Sequence, residues 1–296
     1  MPWRLLPATK ARSTLSIGAA IAEPSSPSDR TAPSRAEREA LLRALLLARG
    51  LERALIVAGF RCGRRGSVHQ LTAAVSVASG LDPGDRLFLP HDLIAAHLAR
   101  GMDPVDVLAA RLGRAPRADG RGQLVAGIAP GVAVPLATGS ALALGDGKAA
   151  VAAAVVEAEW LGDAATARAL ALARDRALPL VVLAVGSAGS AVRRIRGTID
   201  RDRPEAVLAG VGAAVAAVRA GDGPAILYCA PGDADPGGRD GLGLAEARRD
   251  PLRAYEQWLS SHGFARDELS RLRAEVVAQV KAAAEELSGQ LRGPRG

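Results

Sequence analysis

The sequence of 296 residues contains no asparagine, only three lysines among its 38 basic residues, and 3% aromatic residues. The absence of asparagine excludes any site chemistry that needs an asparagine side chain. The two cysteines, Cys62 and Cys229, lie too far apart in sequence to form a metal-ligand motif or a disulfide framework, which fits a reducing cytoplasm. Apolar runs are interrupted well before the roughly 18 residues that a membrane span needs. We therefore expect a cytoplasmic protein with no membrane span.

The arginine-rich composition bears on the organism type and on whether the protein binds a polyanion. Abundant alanine and arginine in place of lysine are typical of a GC-rich bacterial coding sequence. The net charge of +7 and the pI near 10.3 suggest a polyanion as a partner. The densest arginine clusters, at 61–65 and 193–196, have only Phe60 beside them, whereas single-strand binders interleave several aromatic residues with their cations. We therefore expect a solvated basic surface and no nucleic-acid partner.

Composition divides the chain into a tail and one domain. Residues 1–35 include the run from Pro24 to Ser28 and mixed charges, which predict a disordered tail before a single domain at 36–296. Periodic apolar residues predict a first helix from Arg35 to about Val57, with Gly50 as a candidate break. Further helices are predicted at 68–79, 93–100, 104–112, 135–144, 163–177, 203–220 and 251–287, the last with a break near 262–263.

Strand patterns alternate with these helices. Short apolar segments that do not alternate with polar residues predict strands at 87–89, 149–156, 179–185 and 224–229. Alternation of such strands with helices predicts an α/β fold, with a parallel sheet covered by helices on both faces and a helical C-terminal extension. Ligands of such sheets bind beyond the carboxyl ends of the strands, so the loops after Val156, Val185 and Cys229 are the candidate site.

These loops contain few residues that carry chemistry. A nucleophile needs a nearby base, yet none of the four histidines lies in a loop that follows a strand in the C-terminal half. Glu157 and Glu159 follow one strand, and a pair of carboxylates there suits a hard metal ion. The Gly/Ser-rich loop 186–190 follows another strand and has arginines beyond it, so it is a candidate phosphate cradle.

The order of several short segments resembles the alpha subunit of the thiamine-diphosphate-dependent 2-oxo acid dehydrogenases, of the pyruvate and branched-chain type. The resemblance covers about Leu41 to Leu287, and each segment is short while their order and spacing together are specific. The segments are GSVHQLTAA at 66–74, LDPGD at 81–85, ARG at 99–101, VPLATGSALA at 134–143, ALP at 177–179, GPA at 223–225 and DPL at 250–252.

The resemblance implies a fold, a cofactor and a partner. It implies the family's thiamine-diphosphate-binding α/β fold, with the cofactor at the interface between the alpha subunit and a beta subunit. In the family the alpha subunit holds the diphosphate and Mg²⁺, while the beta subunit holds the aminopyrimidine.

The positions that match the family's functional residues depart from its pattern. His91 and Asp92 stand where the family has Tyr-Arg, and a carboxylate there would repel the diphosphate. Glu157-Ala158-Glu159 falls near the family's metal-binding Gly-Asp-Gly, and Gly186-Ser187 replaces its asparagine pair. The family's catalytic histidine loop corresponds to residues 230–237, which contain no histidine. Mg²⁺ needs several well-placed oxygen ligands, so these departures predict that the pocket no longer serves the cofactor.

We therefore expect a non-catalytic alpha-like subunit with a structural or regulatory role, without catalytic residues, metal ligands or a bound cofactor. Its partner would be a beta-type dehydrogenase subunit or a second copy of the chain. Two alternatives stay open. One is an active 2-oxo acid dehydrogenase subunit with a metal site rebuilt on Glu157 or Glu159, and the other is a module that binds phosphate or nucleic acid.

Overall fold

A computed structural model describes residues 33–57, 68–90, 93–112, 123–145, 150–186, 198–230 and 250–292. Within these ranges the strands are β1 (Arg86–Phe88), β2 (Gln123–Val125), β3 (Ala152–Glu157), β4 (Leu180–Val185), β5 (Thr198–Asp200) and β6 (Ala225–Ala230). The α-helices are α1 (Arg35–Val57), α2 (Val68–Ser79), α3 (Ile94–Ala99), α4 (Pro104–Arg111), α5 (Ala133–Leu144), α6 (Ala164–Asp175), α7 (Pro204–Ala220), α8 (Pro251–Ser261) and α9 (Arg266–Arg292). Short 3₁₀ turns occupy Pro130–Val132 and Ala158–Gly162.

Local sequence signals set where several helices begin. Helices α4, α7 and α8 each start with a proline, whose fixed φ suits the first helical position. Asp103, Asp163 and Asp250 cap α4, α6 and α8, because each carboxylate accepts a hydrogen bond from a backbone N–H of the first turn. These helix starts could therefore be predicted from sequence to within one residue.

The six strands form one sheet in the order β2-β1-β3-β4-β6-β5, and every neighbouring pair is parallel. This confirms the predicted α/β fold with a parallel sheet. Strands β3 and β4 are buried along almost their whole length, which is why their sequences are apolar without alternation. Strands β2 and β5, which were not predicted, lie at the two edges and have only three residues each.

Helices cover both faces of the sheet, as predicted. Helices α5 and α6 pack on one face, against side chains that include Ala154, Val156 and Val182. Helices α2, α3 and α7 pack on the other face, against Val155 and Leu183 among others. Helices α1, α4, α8 and α9 then form a further layer that packs on α2 and α3 and contains a core of its own.

The first described helix packs along the last one. Gly50 lies in the middle of α1, which is continuous through this position, so the candidate break there was wrong. A Cβ atom at Gly50 would lie 2.7 Å from Cγ2 of Val280, so the glycine allows α1 and α9 to approach closely. Arg35 and Arg43 of α1 also form ion pairs with Glu268 and Glu275 of α9, each with an N–O distance of 2.7 Å.

A buried polar network joins the elements at the amino edge of the sheet. The carboxylate of Asp85 is fully buried and accepts hydrogen bonds from the backbone N–H of Val151 at 2.7 Å and from Arg219 at 2.8 Å. The guanidinium of Arg100 donates to the backbone carbonyls of Leu81 and Asp82, both at 2.9 Å. Desolvation lowers the pKa of Arg100, although Asp85 and Asp82 oppose this effect. The network fixes the start of β1 and β3 relative to α3 and α7.

In the part of the chain that the structure describes, no helix is both long enough and apolar enough to cross a lipid bilayer.

Candidate functional site at the carboxyl edge of the sheet

The strand order locates a crevice between β1 and β3. From β1 the chain passes to β2 on one side and later returns to β3 on the other side, so the direction of winding reverses between these two strands. In open parallel sheets, ligands bind at such a reversal, outside the carboxyl ends of the strands. The crevice at the ends of β1 and β3 is therefore the candidate site.

A small cavity occupies this crevice. Its volume is about 20 Å³, which is sufficient for one water molecule. Side chains from α2, from the ends of β1, β3 and β4, and from the start of α3 form its wall. They are Ala74, Leu89, Pro90, Leu93, Val155, Val156, Glu157 and Val185.

Among the described residues that line the cavity, Glu157 is the one that can ionise. It is the last residue of β3, it is partly exposed, and the backbone turns into a 3₁₀ helix directly after it. That turn buries Ala158 and leaves Glu159 exposed and outside the cavity wall. The turn therefore separates the two glutamates that sequence spacing had paired, and only Glu157 of this pair lines the cavity.

Gly186 directly follows β4 and connects the end of this strand to the end of β6. Its φ of +143° lies in a region that favours glycine, so a side chain here would be strained. Its N–H donates to the carbonyl of Cys229 at 3.1 Å, and its own carbonyl accepts from the hydroxyl of Tyr228 at 2.7 Å. Both contacts tie the end of β4 to the end of β6.

Tyr228 and Cys229, near the end of β6, both have a raised pKa. Desolvation raises the pKa of Tyr228, and Arg201 partly counteracts this effect. Desolvation raises the pKa of the Cys229 thiol to about 12, with a smaller contribution from the charge of Asp200. A buried neutral thiol is a poor nucleophile, so Cys229 does not supply an attacking group.

Several predicted site residues lie outside the described residues. These are His91, Asp92 and Ser187, together with the rest of the Gly/Ser-rich loop after Gly186 and the arginines beyond it. Of the sequence-predicted positions, the structure describes Glu157, Ala158, Glu159 and Gly186. It brings Ala158 and Gly186 together, since a Cβ added at Gly186 would lie 3.7 Å from the Cβ of Ala158.

The described lining does not fit a magnesium diphosphate group. Mg²⁺ takes near-octahedral oxygen ligands, and the described cavity wall offers one carboxylate among apolar side chains. Over the described ranges, no cluster of three or more His, Cys, Asp or Glu residues has a geometry that could hold a metal ion. The diphosphate would also need cations, and none of these eight described residues is Lys, Arg or His.

Most residues of the cavity wall were not predicted from the sequence. Ala74, Leu89 and Leu93 are apolar residues in a helix, at a strand end and before a helix, and nothing in their local pattern distinguishes them from core residues. Only the strand order shows that they converge. His262, which no strand-end loop contains, is an exposed turn residue, and its ring stacks on that of Trp258 with 4.0 Å between the ring centroids.

No protein-family model matches the chain, and no curated protein matches it at a significant level.

Proposed function

We propose that the chain is a non-catalytic subunit of the alpha type of thiamine-diphosphate-dependent 2-oxo acid dehydrogenases, with a structural or regulatory role. The observation that carries the proposal is the lining of the cavity between β1 and β3. Among the described residues of this lining, Glu157 is the one carboxylate and the others are apolar, and Glu157 falls near the position that the resemblance matches to the family's metal ligand.

The positions of the segments that resemble the family support this proposal. LDPGD at 81–85 and ARG at 99–101 are in direct contact, because Arg100 donates to carbonyls of that turn. ALP at 177–179 and GPA at 223–225 also meet, since a Cβ at Gly223 would lie 3.7 Å from the Cα of Ala177. All four segments lie at the amino edge of the sheet or support it, where they have structural roles.

The departures from the family lie at the other edge. Among the described residues, Glu157, Ala158 and Gly186 all stand at the carboxyl ends of strands. A chain that keeps scaffold contacts at one edge and loses ligand groups at the other is expected when a fold is retained after its cofactor site has been lost. The absence of asparagine also supports loss of the cofactor site, because no alignment of this sequence with the family can supply the family's asparagine ligand.

Calorimetric titration of the full chain with thiamine diphosphate and MgCl₂ tests the proposal, with co-expression of a beta-type subunit as its second arm. We expect no saturable heat of binding and co-purification of the two subunits. Tight binding of the cofactor would overturn the non-catalytic role. Failure of the two chains to co-purify would overturn the assignment as an alpha-type subunit.

One observation favours a second candidate, an active dehydrogenase subunit with a rebuilt metal site. Glu157 lines the cavity whereas Glu159 does not, so the two glutamates form a matched pair of positions. The test uses this chain reconstituted with a beta-type subunit. If that complex decarboxylates a 2-oxo acid, Glu157→Gln should abolish the activity and Glu159→Gln should not. No activity over a broad panel of 2-oxo acids would exclude this candidate.

A further inference from the structure

The side chain of Arg100 is buried against a single turn of the backbone. Arg100 directly follows α3 and is only 6% exposed. Its two terminal nitrogens donate hydrogen bonds to four backbone carbonyl oxygens, at 2.9, 2.9, 3.4 and 3.0 Å. These four oxygens, which we call the carbonyl cup, belong to Leu81, Asp82, Pro83 and Asp85.

The charge around the carbonyl cup suits a cation. In ion channels, carbonyl oxygens that converge on one point replace the hydration shell of a bound cation. The same turn carries the carboxylates of Asp82 and Asp85, which Arg219 pairs with at 2.8 Å from each. Arg100 contacts the carbonyl oxygens instead, so its removal would leave several buried acceptors without their donor.

The arrangement of these hydrogen bonds selects a planar cation with several donors. One terminal nitrogen of Arg100 serves the oxygen of Leu81, and the other serves the three remaining oxygens of the carbonyl cup. A guanidinium group holds both nitrogens in one rigid plane, whereas an ammonium group has a single, more strongly hydrated nitrogen. The carbonyl cup therefore matches both the charge and the shape of a guanidinium group.

Arg100 and the carbonyl cup lie at the two ends of a segment that forms part of the cavity wall. Strand β1 begins directly after the turn, and Leu89 and Pro90, which follow β1, line the cavity. Leu93 also lines it, and the chain then returns through α3 to Arg100. The hydrogen bonds of Arg100 therefore join α3 to the start of β1, at the opposite end of these elements from the cavity.

We propose that the carbonyl cup is a receptor site for a guanidinium-type cation, and that Arg100 is its resident occupant, which fastens α3 to the start of β1. The proposal does not depend on the proposed function, since it uses neither the cofactor nor a partner subunit. It predicts that the site binds free guanidinium ion once the side chain of Arg100 has been removed.

Thermal unfolding of Arg100→Ala in the full chain tests this prediction. The substitution should raise the unfolding equilibrium constant on the order of 100-fold, because buried carbonyl oxygens lose a charged donor. Millimolar guanidinium chloride should then raise the Tm of the variant in a saturable manner, since the ion binds the folded state. Equal concentrations of urea, a neutral molecule of the same shape, and of sodium chloride should not. The wild type, in which Arg100 fills the site, should not respond to guanidinium in this way.

Arg86→Ala is the matched control. Arg86 is a partly exposed arginine beside the turn, and its guanidinium donates to the hydroxyl of Ser140 at 3.1 Å. This variant should show no saturable rise in Tm with guanidinium. A folded Arg100→Ala that does not respond to guanidinium, or that responds equally to urea, would overturn the proposal, and so would an equal response of Arg86→Ala.

A second pair of variants gives a result even where Arg100→Ala does not fold. Arg100→Lys keeps a cation, and Arg100→Met keeps an unbranched side chain without charge. The unfolding equilibrium constant of the lysine variant should be lower than that of the methionine variant by roughly 10-fold, because only lysine offers charged donors. A methionine variant that is as stable as the lysine variant would show that the site needs volume alone and would overturn the proposal.

Hydrogen exchange tests whether the site fastens α3. In Arg100→Ala, the amides of β1 and α3 should exchange faster relative to those of the buried strand β4, and guanidinium should slow them again. Unchanged exchange in α3 of the folded variant would overturn the fastening role of Arg100.

Discussion

Arg219, in the last turn of α7, donates hydrogen bonds to both carboxylate oxygens of Asp85, at 2.9 and 2.8 Å. The Asp85 side chain is fully buried, while that of Arg219 is 26% exposed. The pair connects two segments that are 134 residues apart in sequence, at the amino edge of the sheet.

Replacement of Arg219 with alanine should destabilise the protein strongly. It would leave the buried carboxylate of Asp85 without its counter-ion, a change that costs about 3–5 kcal/mol in other proteins. Arg174→Ala is the control, because Arg174 pairs with Asp175 on the surface, where both side chains are largely exposed. The control should lower the free energy of unfolding by less than about 1 kcal/mol. Equal effects of the two variants in urea denaturation would contradict the prediction.

Asp250 should make the stability of the protein depend on acid pH. The hydrogen bond from Arg49 is the main cause that lowers the pKa of Asp250 below its ordinary 3.8. The ionised form therefore favours the folded state, and its contribution is complete above pH 3.8 and is lost as the pH falls through the depressed pKa.

Asp250→Asn isolates this contribution, because asparagine still caps a helix but does not ionise. The difference in unfolding free energy between wild type and variant should shrink as the pH falls below about 4. Arg49→Gln should reduce the pH dependence of the wild type in the same range. A difference that stays constant between neutral and acid pH would show that the ionised carboxylate does not favour the folded state.

Cys229 should resist thiol reagents until the protein unfolds. Its side chain is fully buried, and its pKa of about 12 leaves almost no thiolate near neutral pH. With Cys62 replaced by serine, 5,5′-dithiobis(2-nitrobenzoate) reports on Cys229 alone. We expect labelling to follow unfolding in urea. Labelling of the native protein at the rate of a free cysteine would refute the burial.

Ala177 should be a site where glycine stabilises the fold. Its φ of +47° is the one positive value for a non-glycine residue among the described residues. The left-handed conformation costs an alanine about 1–2 kcal/mol, part of which Ala177→Gly should recover. Ala167→Gly, inside α6, should have the opposite sign and destabilise by about 1 kcal/mol. Thermal unfolding of both variants gives the comparison, and a loss of stability in Ala177→Gly would contradict the prediction.

Elements with a strong local signal were predicted closely from the sequence. The spacing of Leu41, Leu42 and Leu45 gave α1 its observed bounds, and the apolar run from Leu180 to Val185 gave β4. The edge strands β2 and β5 were missed because three residues are too few for any periodicity; β1 is equally short, and its prediction at 87–89 rested on apolar residues alone. Their pairing with β1 and β6 is a tertiary contact, which local sequence does not encode.

The sequence predicted where the candidate site lies better than it predicted which residues form it. The end of β3 was expected at the site, and Glu157 does line the cavity. The separation of Glu157 from Glu159 depends on a 3₁₀ turn that alternation patterns do not signal. Asp85 ends a polar segment that contains proline and glycine, yet its side chain is buried, because Arg219 and the N–H of Val151 contact it from distant parts of the chain.

The packing of α1 along α9 has a consequence for synthesis of the protein. About 200 residues separate Val57 from Arg266. At roughly 5–20 residues per second on the ribosome, the apolar side of α1 waits on the order of 10–40 seconds for the helix that covers it. During that interval the side of α1 around Gly50, which packs on α9 in the folded protein, stays open to any binder of apolar segments. A chain that terminates before α9 should therefore remain a substrate for chaperones and proteases.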